Sequence, residues 1–309
     1  MIIYTHDDCL KKQNGAAHPE RKERLESIIE SIKSSDIKVE FREAPKANLE
    51  IVSLVHPKKH LEKIFARIPK NGIIGVEKEP YADTMLCPYS KNAILRSCGS
   101  GIAACDNLMN KDQRAFCAVR PPGHHAETAR AMGFCFINNI AVSARYLQKK
   151  YKINKVAIID FDVHHGNGTQ EIFYNDSSVV YGSSHESPLF PGTGSEIETG
   201  VGNIFNATLK AGTKKKEFLS IFETKILHPI DRFKPEVILI SAGFDAHKRD
   251  PLANINLESE DFFQITKLIV DIANIHSQGR VISFLEGGYD LIALSESIRE
   301  HLKALQTHI

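Results

Sequence analysis

At 309 residues the chain can bury a large core, and its 39 Lys and Arg nearly balance 38 Asp and Glu, leaving a formal net charge of +1. That balance gives no general electrostatic attraction to nucleic acid or to a membrane surface. Six cysteines stand without a CxxC pair, which argues against a disulfide scaffold or a structural zinc cluster and suits a reducing, cytoplasmic compartment. Residues 1–8 lack the apolar run of a signal peptide, and no stretch approaches the roughly eighteen apolar residues of a membrane span.

Taken in chain order, the charged segments 11–24 and 56–80 read as surface helices and loops ahead of the main sheet. His56 and His60 have i,i+4 spacing, but His-Pro-Lys-Lys-His lacks the glutamate of a zincin helix, and both are expected to be exposed. A helical pattern covers 91–109, and Gly99-Ser100-Gly101 within it marks close helix packing. Strands follow at 115–119, 156–159, 179–181, 237–240 and 281–284. Helices lie at 138–151, 216–233, 259–276 and 294–305. Lys214-Lys215-Lys216 reads as a solvated helix start. Gly192-Thr193-Gly194 lacks the lysine of a phosphate loop and reads as a turn. The alternation predicts βαβ units: one α/β domain over 1–309, three-layered, with a mostly parallel sheet covered by helices on both faces. The near-continuous apolar strands agree, because parallel strands are buried on both sides.

Each predicted strand runs into residues suited to chemistry. Arg120-Pro121-Pro122-Gly123-His124-His125 follows the first, and Asp160-Phe161-Asp162-Val163-His164-His165-Gly166-Asn167-Gly168 the second. Ser183-Ser184-His185, Ser241-Ala242-Gly243-Phe244-Asp245-Ala246-His247 and Glu286-Gly287-Gly288-Tyr289-Asp290 follow the others. In parallel α/β sheets ligands bind outside the carboxyl ends of the strands. Burying so many ionisable groups there is costly without a partner, and a metal ion is the partner that fits. Asp162 and His164, two apart on an extended segment, point to one side, and Asp160 shares that side. Asp162, His164 and Asp245 make a three-ligand site that leaves a coordination position open, the pattern of catalytic zinc. The competing reading of Asp162 and Asp245 is as helix caps or loop hydrogen-bonders. His124 and His125 sit on a proline-stiffened loop, and one of them can move a proton between water and a leaving amine. Asp160 and Asn167 are available to orient them. Tyr289, after two glycines, can donate to a developing oxyanion, or is an ordinary buried tyrosine.

These motifs, with Gly133-Phe134-Cys135-Phe136-Ile137-Asn138-Asn139 and Pro191-Gly192-Thr193-Gly194, resemble the histone deacetylase superfamily from about His18 onward, including its bacterial deacetylase-like amidohydrolases. His18-Pro19-Glu20 and Glu286-Gly287-Gly288-Tyr289 look like class II members. The resemblance implies an arginase/deacetylase fold and Zn2+, or Fe2+, on Asp162, His164 and Asp245. It implies His125 as general base and acid, His124 as its electrostatic partner, Asp160 orienting His124, Asn167 facing His125, and Tyr289 polarising the acyl carbonyl. Phe134 and Phe190 would wall a narrow tunnel, with backbone from Gly133. A structural K+ would sit near Asp160, Asp162, His164, Ser183 and Ser184. Asn167 stands where class I members have Asp, Ser184 where Leu is common, and Asp290 where Asn is frequent. Leu252 matches the apolar gatekeeper of lysine deacylases, where polyamine-selective members tend to carry an acidic residue.

The expected activity is metal-dependent hydrolysis of an acetyl or other acyl amide, with acyl-lysine in a protein or peptide as substrate. The alternatives are an acetylpolyamine or other small-molecule amidohydrolase and, in a different class, a catalytically silent acyl-lysine-binding module. A binuclear ureohydrolase of the same fold needs second-metal ligands that these strand ends do not assemble.

Overall fold

The computed structural model describes residues 1–76, 83–111 and 114–307; residues 77–80 of the charged 56–80 segment lie outside them. In chain order the strands are β1 (Ile2–Thr5), β2 (Glu40–Glu43), β3 (Ile74–Gly75), β4 (Met85–Leu86), β5 (Ala115–Cys117), β6 (Val156–Asp160), β7 (Val179–Glu186), β8 (Ile204–Leu209), β9 (Val237–Ala242) and β10 (Val281–Leu285). The helices are α1 (Asp7–Lys11), α2 (Lys22–Lys33), α3 (Leu49–Val52), α4 (Lys58–Ala66), α5 (Ser90–Lys111), α6 (Asn139–Tyr151), α7 (Asn167–Phe173), α8 (Lys215–Phe222), α9 (His228–Phe233), α10 (Asp261–His276) and α11 (Leu291–Leu305).

Eight strands form one sheet in the order β2-β1-β5-β10-β9-β6-β7-β8, and every pairing in it is parallel. β3 and β4 make a separate antiparallel ribbon. Helices flank the sheet: α5 packs on α6, while α2, α10 and α11 form a second group. The central strands β6, β9 and β10 are buried throughout. Their Val and Ile content suits strands covered on both faces. Because all eight run the same way, β5, β10, β9 and β6 deliver their carboxyl ends side by side at one edge. The expected α/β architecture is the one observed. Gly99 and Gly101 do mark close packing: a Cβ on Gly99 would lie 1.9 Å from the Pro45 carbonyl oxygen, and one on Gly101 2.2 Å from the Ser143 hydroxyl of α6.

Several boundaries differ, each for a physical reason. β1, β2 and β8 also belong to the sheet; β2, the edge strand, is polar (Glu-Phe-Arg-Glu) and carries no buried-strand signal. β7 runs to Glu186 rather than ending at 181, because β8 pairs with it as far as Glu186↔Leu209. The helix expected over 216–233 is interrupted by a π-turn at Glu223–Leu227. Pro229, in the first turn of α9, has no N–H to continue the ladder.

His56 and His60 are buried, not exposed. Asn138 N donates to His56 Nε2 (2.9 Å), so Nδ1 carries the proton and donates to the Thr128 carbonyl (3.1 Å). His60 Nε2 donates to the Phe136 carbonyl (3.2 Å). Burial pushes His56 down to about 4 and lowers His60 as well, which keeps both groups neutral staples of the 126–138 loop.

The charged 11–24 segment also departs from a plain surface segment, since Lys12, Glu20 and Arg24 are buried. The Glu20 carboxylate accepts from Arg120 Nε and Nη2 and from Asn14 Nδ2, and lies 3.4 Å from Arg24 Nη1. Arg24 in turn donates through Nη2 to the Glu286 carbonyl (2.5 Å) and through Nε to the Gly288 carbonyl (2.6 Å). This network fastens the N-terminal segment to the ends of β5 and β10.

Removing Glu20 leaves Arg120, Arg24 and Lys12 as uncompensated buried charges. Glu20→Ala should therefore cost about 3–5 kcal/mol, read as a lowered urea midpoint with an unchanged slope. Burial raises the Glu20 carboxyl, but Arg120, Lys12 and Arg24 overcome it and hold the group far below the ordinary carboxylate range. Its stabilisation is complete above the unfolded carboxyl pKa of about 4.3 and is lost as pH falls towards the depressed value.

Candidate functional site

The site is assembled where β5, β10, β9 and β6 end. Glu286, immediately after β10, ties three of those ends together. Its Oε2 accepts from the backbone N–H of Gly123 (2.7 Å) and His124 (3.2 Å), and its Oε1 from the Ser241 hydroxyl (3.2 Å). Burial pushes its carboxyl up to about 7.

Asp162, His164 and Asp245 are brought together. One ligand atom from each lies within 4.8 Å of the others, and all three residues are buried. His164 Nδ1 sits 3.2 Å from Asp162 Oδ1 and 3.1 Å from Asp245 Oδ2. Backbone amides fix the carboxylates: Gly287 N donates to Asp162 Oδ2 (2.8 Å), and Val163 N to Asp245 Oδ1 (2.9 Å). The glycines are needed for this approach. A Cβ on Gly287 would lie 2.0 Å from Asp245 Oδ2, and one on Gly243 2.1 Å from Asp162 Oδ2. Burial alone would lower His164, but its hydrogen bonds to the Asp162 and Asp245 carboxylates raise it to about 10. The carboxylate pair demands a positive charge between them, which a proton or a divalent cation can meet. Two carboxylates and one imidazole are a donor set for zinc or another first-row divalent ion.

His124 and His125 stand beside this set with ring centroids 4.0 Å apart. Asp160 Oδ2 lies 3.0 Å from His124 Nδ1 and also accepts from the Tyr181 hydroxyl (2.9 Å). His124 Nε2 is 3.9 Å from Asp162. Burial disfavours a charge on His124, yet Asp162, Asp160 and Glu286 outweigh it and raise the group to about 10. His125 has no such partner. Its Nδ1 meets Asn167 Oδ1 at 2.8 Å, and Asn167 Nδ2 donates to Glu127 (2.8 Å). That orientation makes the Asn167 oxygen the acceptor, places the proton on Nδ1 and leaves Nε2 unprotonated. Burial and the neighbouring His124 and His164 charges hold His125 well below the usual imidazole range. Two adjacent imidazoles thus carry opposite protonation states.

A cavity of about 300 Å3 opens onto His124, His125 and His164. Gly133, Phe134, Phe190, Leu252 and Tyr289 all line it. Phe190 meets His125 edge-on (5.2 Å), and Phe134 meets Tyr289 (6.1 Å). Gly133 and Phe134 both have left-handed backbone (φ 56° and 69°), and a Cβ on Gly133 would lie 2.4 Å from His125 Cδ2. The Tyr289 ring lies over the Arg24 guanidinium, 4.9 Å away, and burial holds its phenol protonated.

Ser183 and Ser184 lie on β7, where Ser183 pairs with Asp160. Among the described residues the buried Ser184 hydroxyl has no hydrogen-bond partner. Asp290 caps α11 by accepting from Ala293 N (2.7 Å), a task Asn performs equally well. Pro122 of the first strand-end motif lines the cavity too, as do Asp83 and Leu189, which were missed in the sequence because both sit outside the strand-end motifs.

Among the described residues no helix is long and apolar enough to cross a membrane. The histone deacetylase domain family matches residues 18–305. A probable deacetylase of Archaeoglobus fulgidus is 35% identical, over 94% of this chain and 81% of its own. Histone deacetylase 10, chloroplastic, of Oryza sativa subsp. japonica is 36% identical, over 94% and 70%. The crystal structure of the HDA15 HD domain superposes with a TM-score of 0.90 at 30% identity, covering 98% of this chain and 87% of that one. A match of this extent, on a chain whose sheet edge carries the site just described, places it in the histone deacetylase family, whose members are hydrolases acting on amide bonds.

Proposed function

We propose that the chain is a single catalytic domain that removes acetyl or other acyl groups from acylated lysine in proteins or peptides. The observation that carries the reading is the buried Asp162–His164–Asp245 set opening into a cavity whose wall holds a neutral His125. Asp162, His164 and Asp245 would hold Zn2+, with Fe2+ as the alternative ion. Bound there, the ion supplies Lewis-acid polarisation of the acyl carbonyl and of the attacking water. His125 Nε2 takes the proton from that water as it attacks. His124, charged and held by Asp160, stabilises the negative charge that develops beside it. Tyr289 donates its phenolic proton in a hydrogen bond to the carbonyl oxygen as it becomes an oxyanion. The departing amine receives its proton from the His pair. Acetate, or a longer carboxylate, and a free amine result.

The tunnel assignment gives Phe134 and Phe190 the walls and Leu252 the rim, an apolar slot for an uncharged acyl-lysine stem. Leu252 supports acyl-lysine over acetylpolyamine, because it offers no carboxylate to a second ammonium. We also assign a structural K+ to the region of Asp160, Asp162, His164, Ser183 and Ser184, with the Ser184 hydroxyl, unpartnered among the described residues, as its support.

Elemental analysis of the purified protein should find one catalytic divalent ion per chain, lost in Asp245→Ala together with turnover. Two transition-metal ions per active chain, or full activity in that variant, would overturn the mononuclear assignment.

Tyr289→Phe should lower kcat by about two to three powers of ten, the loss typical of one oxyanion donor, with metal content unchanged. Wild-type turnover in this variant would make the tyrosine structural.

Wild type should show the higher kcat/KM on acetyl-lysine peptides than on acetylspermidine. Leu252→Glu should move the ratio towards the polyamine by about tenfold, since one partly exposed charge pair is worth on the order of 1 kcal/mol. A wide wild-type preference for acetylpolyamines would replace the lysine reading with the polyamine one.

A further inference from the structure

Tyr289 follows Gly287 and Gly288, the second with φ 115°. Two glycines allow the close approach to Asp162 and Asp245 but contribute no stiffness of their own. The phenol can polarise a carbonyl only if it is held in place to a fraction of an ångström. Its ring is bounded by Arg24 on one side and Phe134 on another. Both contacts are broad and non-directional, so the ring's position must be set through its backbone.

That backbone is gripped from two directions. Arg24 takes the carbonyls of Glu286 and Gly288. The N–H of Tyr289 itself donates to Asp250 Oδ2 at 2.7 Å. The other oxygen of the same carboxylate, Oδ1, accepts from the N–H of Leu252 at 3.0 Å. Asp250 is only 8% exposed, so neither bond is competed for by much water.

The segment carrying Asp250 is itself anchored at both ends. Asp250 N donates to the His247 carbonyl (2.8 Å), and Lys248 N to that of Leu257 (2.9 Å). Beyond Leu252, Asn254 is clamped by Glu186 at the end of β7, through its backbone N (2.7 Å) and its Nδ2 (2.8 Å). Glu186 is buried as well. The carboxylate that holds Tyr289 is therefore mounted on a fixed frame that also carries Leu252.

We propose that Asp250 is a positioning residue that locks Leu252 to Tyr289, fixing where the phenol stands relative to the opening through which the substrate enters. The proposal rests on the role assigned above to Tyr289 and adds to it the group that places the phenol. A carboxylate is required because two donors on separate segments each need an acceptor. An asparagine can satisfy one of them and presents its own N–H2 to the other.

The test is a double-mutant cycle on the full-length metal-loaded protein, with an acetyl-lysine peptide and acetylspermidine assayed in parallel, since the carbonyl to be polarised is the same in both. Asp250→Ala should lower kcat by about ten- to a hundredfold, the range expected for misplacing a catalytic group by about an ångström. Metal content should not change, and kcat should fall more than KM rises. In the Tyr289→Phe background the same substitution should cost no more than about twofold, because the group it positions is already gone. Asp250→Asn should fall between wild type and Asp250→Ala, and it carries the cycle if the alanine variant is not recovered folded. Equal losses in both backgrounds overturn the proposal and leave the role of Tyr289 intact. Full turnover in Tyr289→Phe alone removes that role, and the proposal with it.

Discussion

Buried negative charge is the constraint on which the rest of this structure depends. Asp160, Asp162, Asp245 and Glu286 are each no more than 1% exposed and stand at neighbouring strand ends of one sheet. Carboxylates this close and this dry repel one another and cannot all be ionised without compensation. Compensation arrives in three forms. Backbone amides of Val163, Gly287, Gly123 and His124 point at the oxygens. His124 and His164 supply positive charge. The converging Asp162–His164–Asp245 donors form a candidate site at which a cation can meet the remainder. The neutrality of His125 is a by-product of the same arrangement, because its neighbours are imidazoles and its partner is an amide.

Parallel pairing is what makes the charge density attainable. β6 and β9 pair with Asp160 opposite Ser241, and β9 pairs with β10 so that Ala242 faces Leu285. The segments leaving those strands start about 4.8 Å apart, close enough for Asp162, Asp245 and Gly287 to touch. Side chains would obstruct such an approach, which explains glycine at 243 and 287 better than any need for unusual dihedrals does. Rigid strand spacing thus replaces loop adaptability as the source of geometric precision.

The legible part of this design was the part written in local sequence. Buried parallel strands show as unbroken Val and Ile runs, and polar residues placed directly after them mark the working edge. The fold and the gathering of Asp162, His164, Asp245, His124, His125 and Tyr289 could be read from that pattern. What stayed hidden depends on partners distant in sequence. Nothing local distinguishes the buried His56, held by Thr128 and Asn138, from an exposed histidine on a charged helix. Lys12, Glu20 and Arg24 look like surface charges until Arg120 and the Glu286 and Gly288 carbonyls just beyond β10 are placed beside them. β2 was invisible because edge strands need no apolar pattern, and Asp250 because its duty is to two backbone amides rather than to a motif.

The bond from Arg24 to the Gly288 carbonyl joins residues 264 positions apart, and with it comes an order of assembly. The three candidate metal-binding side chains lie within residues 162 to 245, though the Gly287 amide that fixes Asp162 arrives only with β10. The Tyr289 turn cannot be seated until β10 is in the sheet and α2 has docked against it. Contacts of this sequence separation are the slowest to form, since the closure entropy of the whole intervening chain must be met first. During synthesis the centre is therefore completed last, so a nascent or truncated chain ending before residue 281 lacks the Tyr289 side of the cavity. Full catalytic competence is tied to a chain that has finished folding.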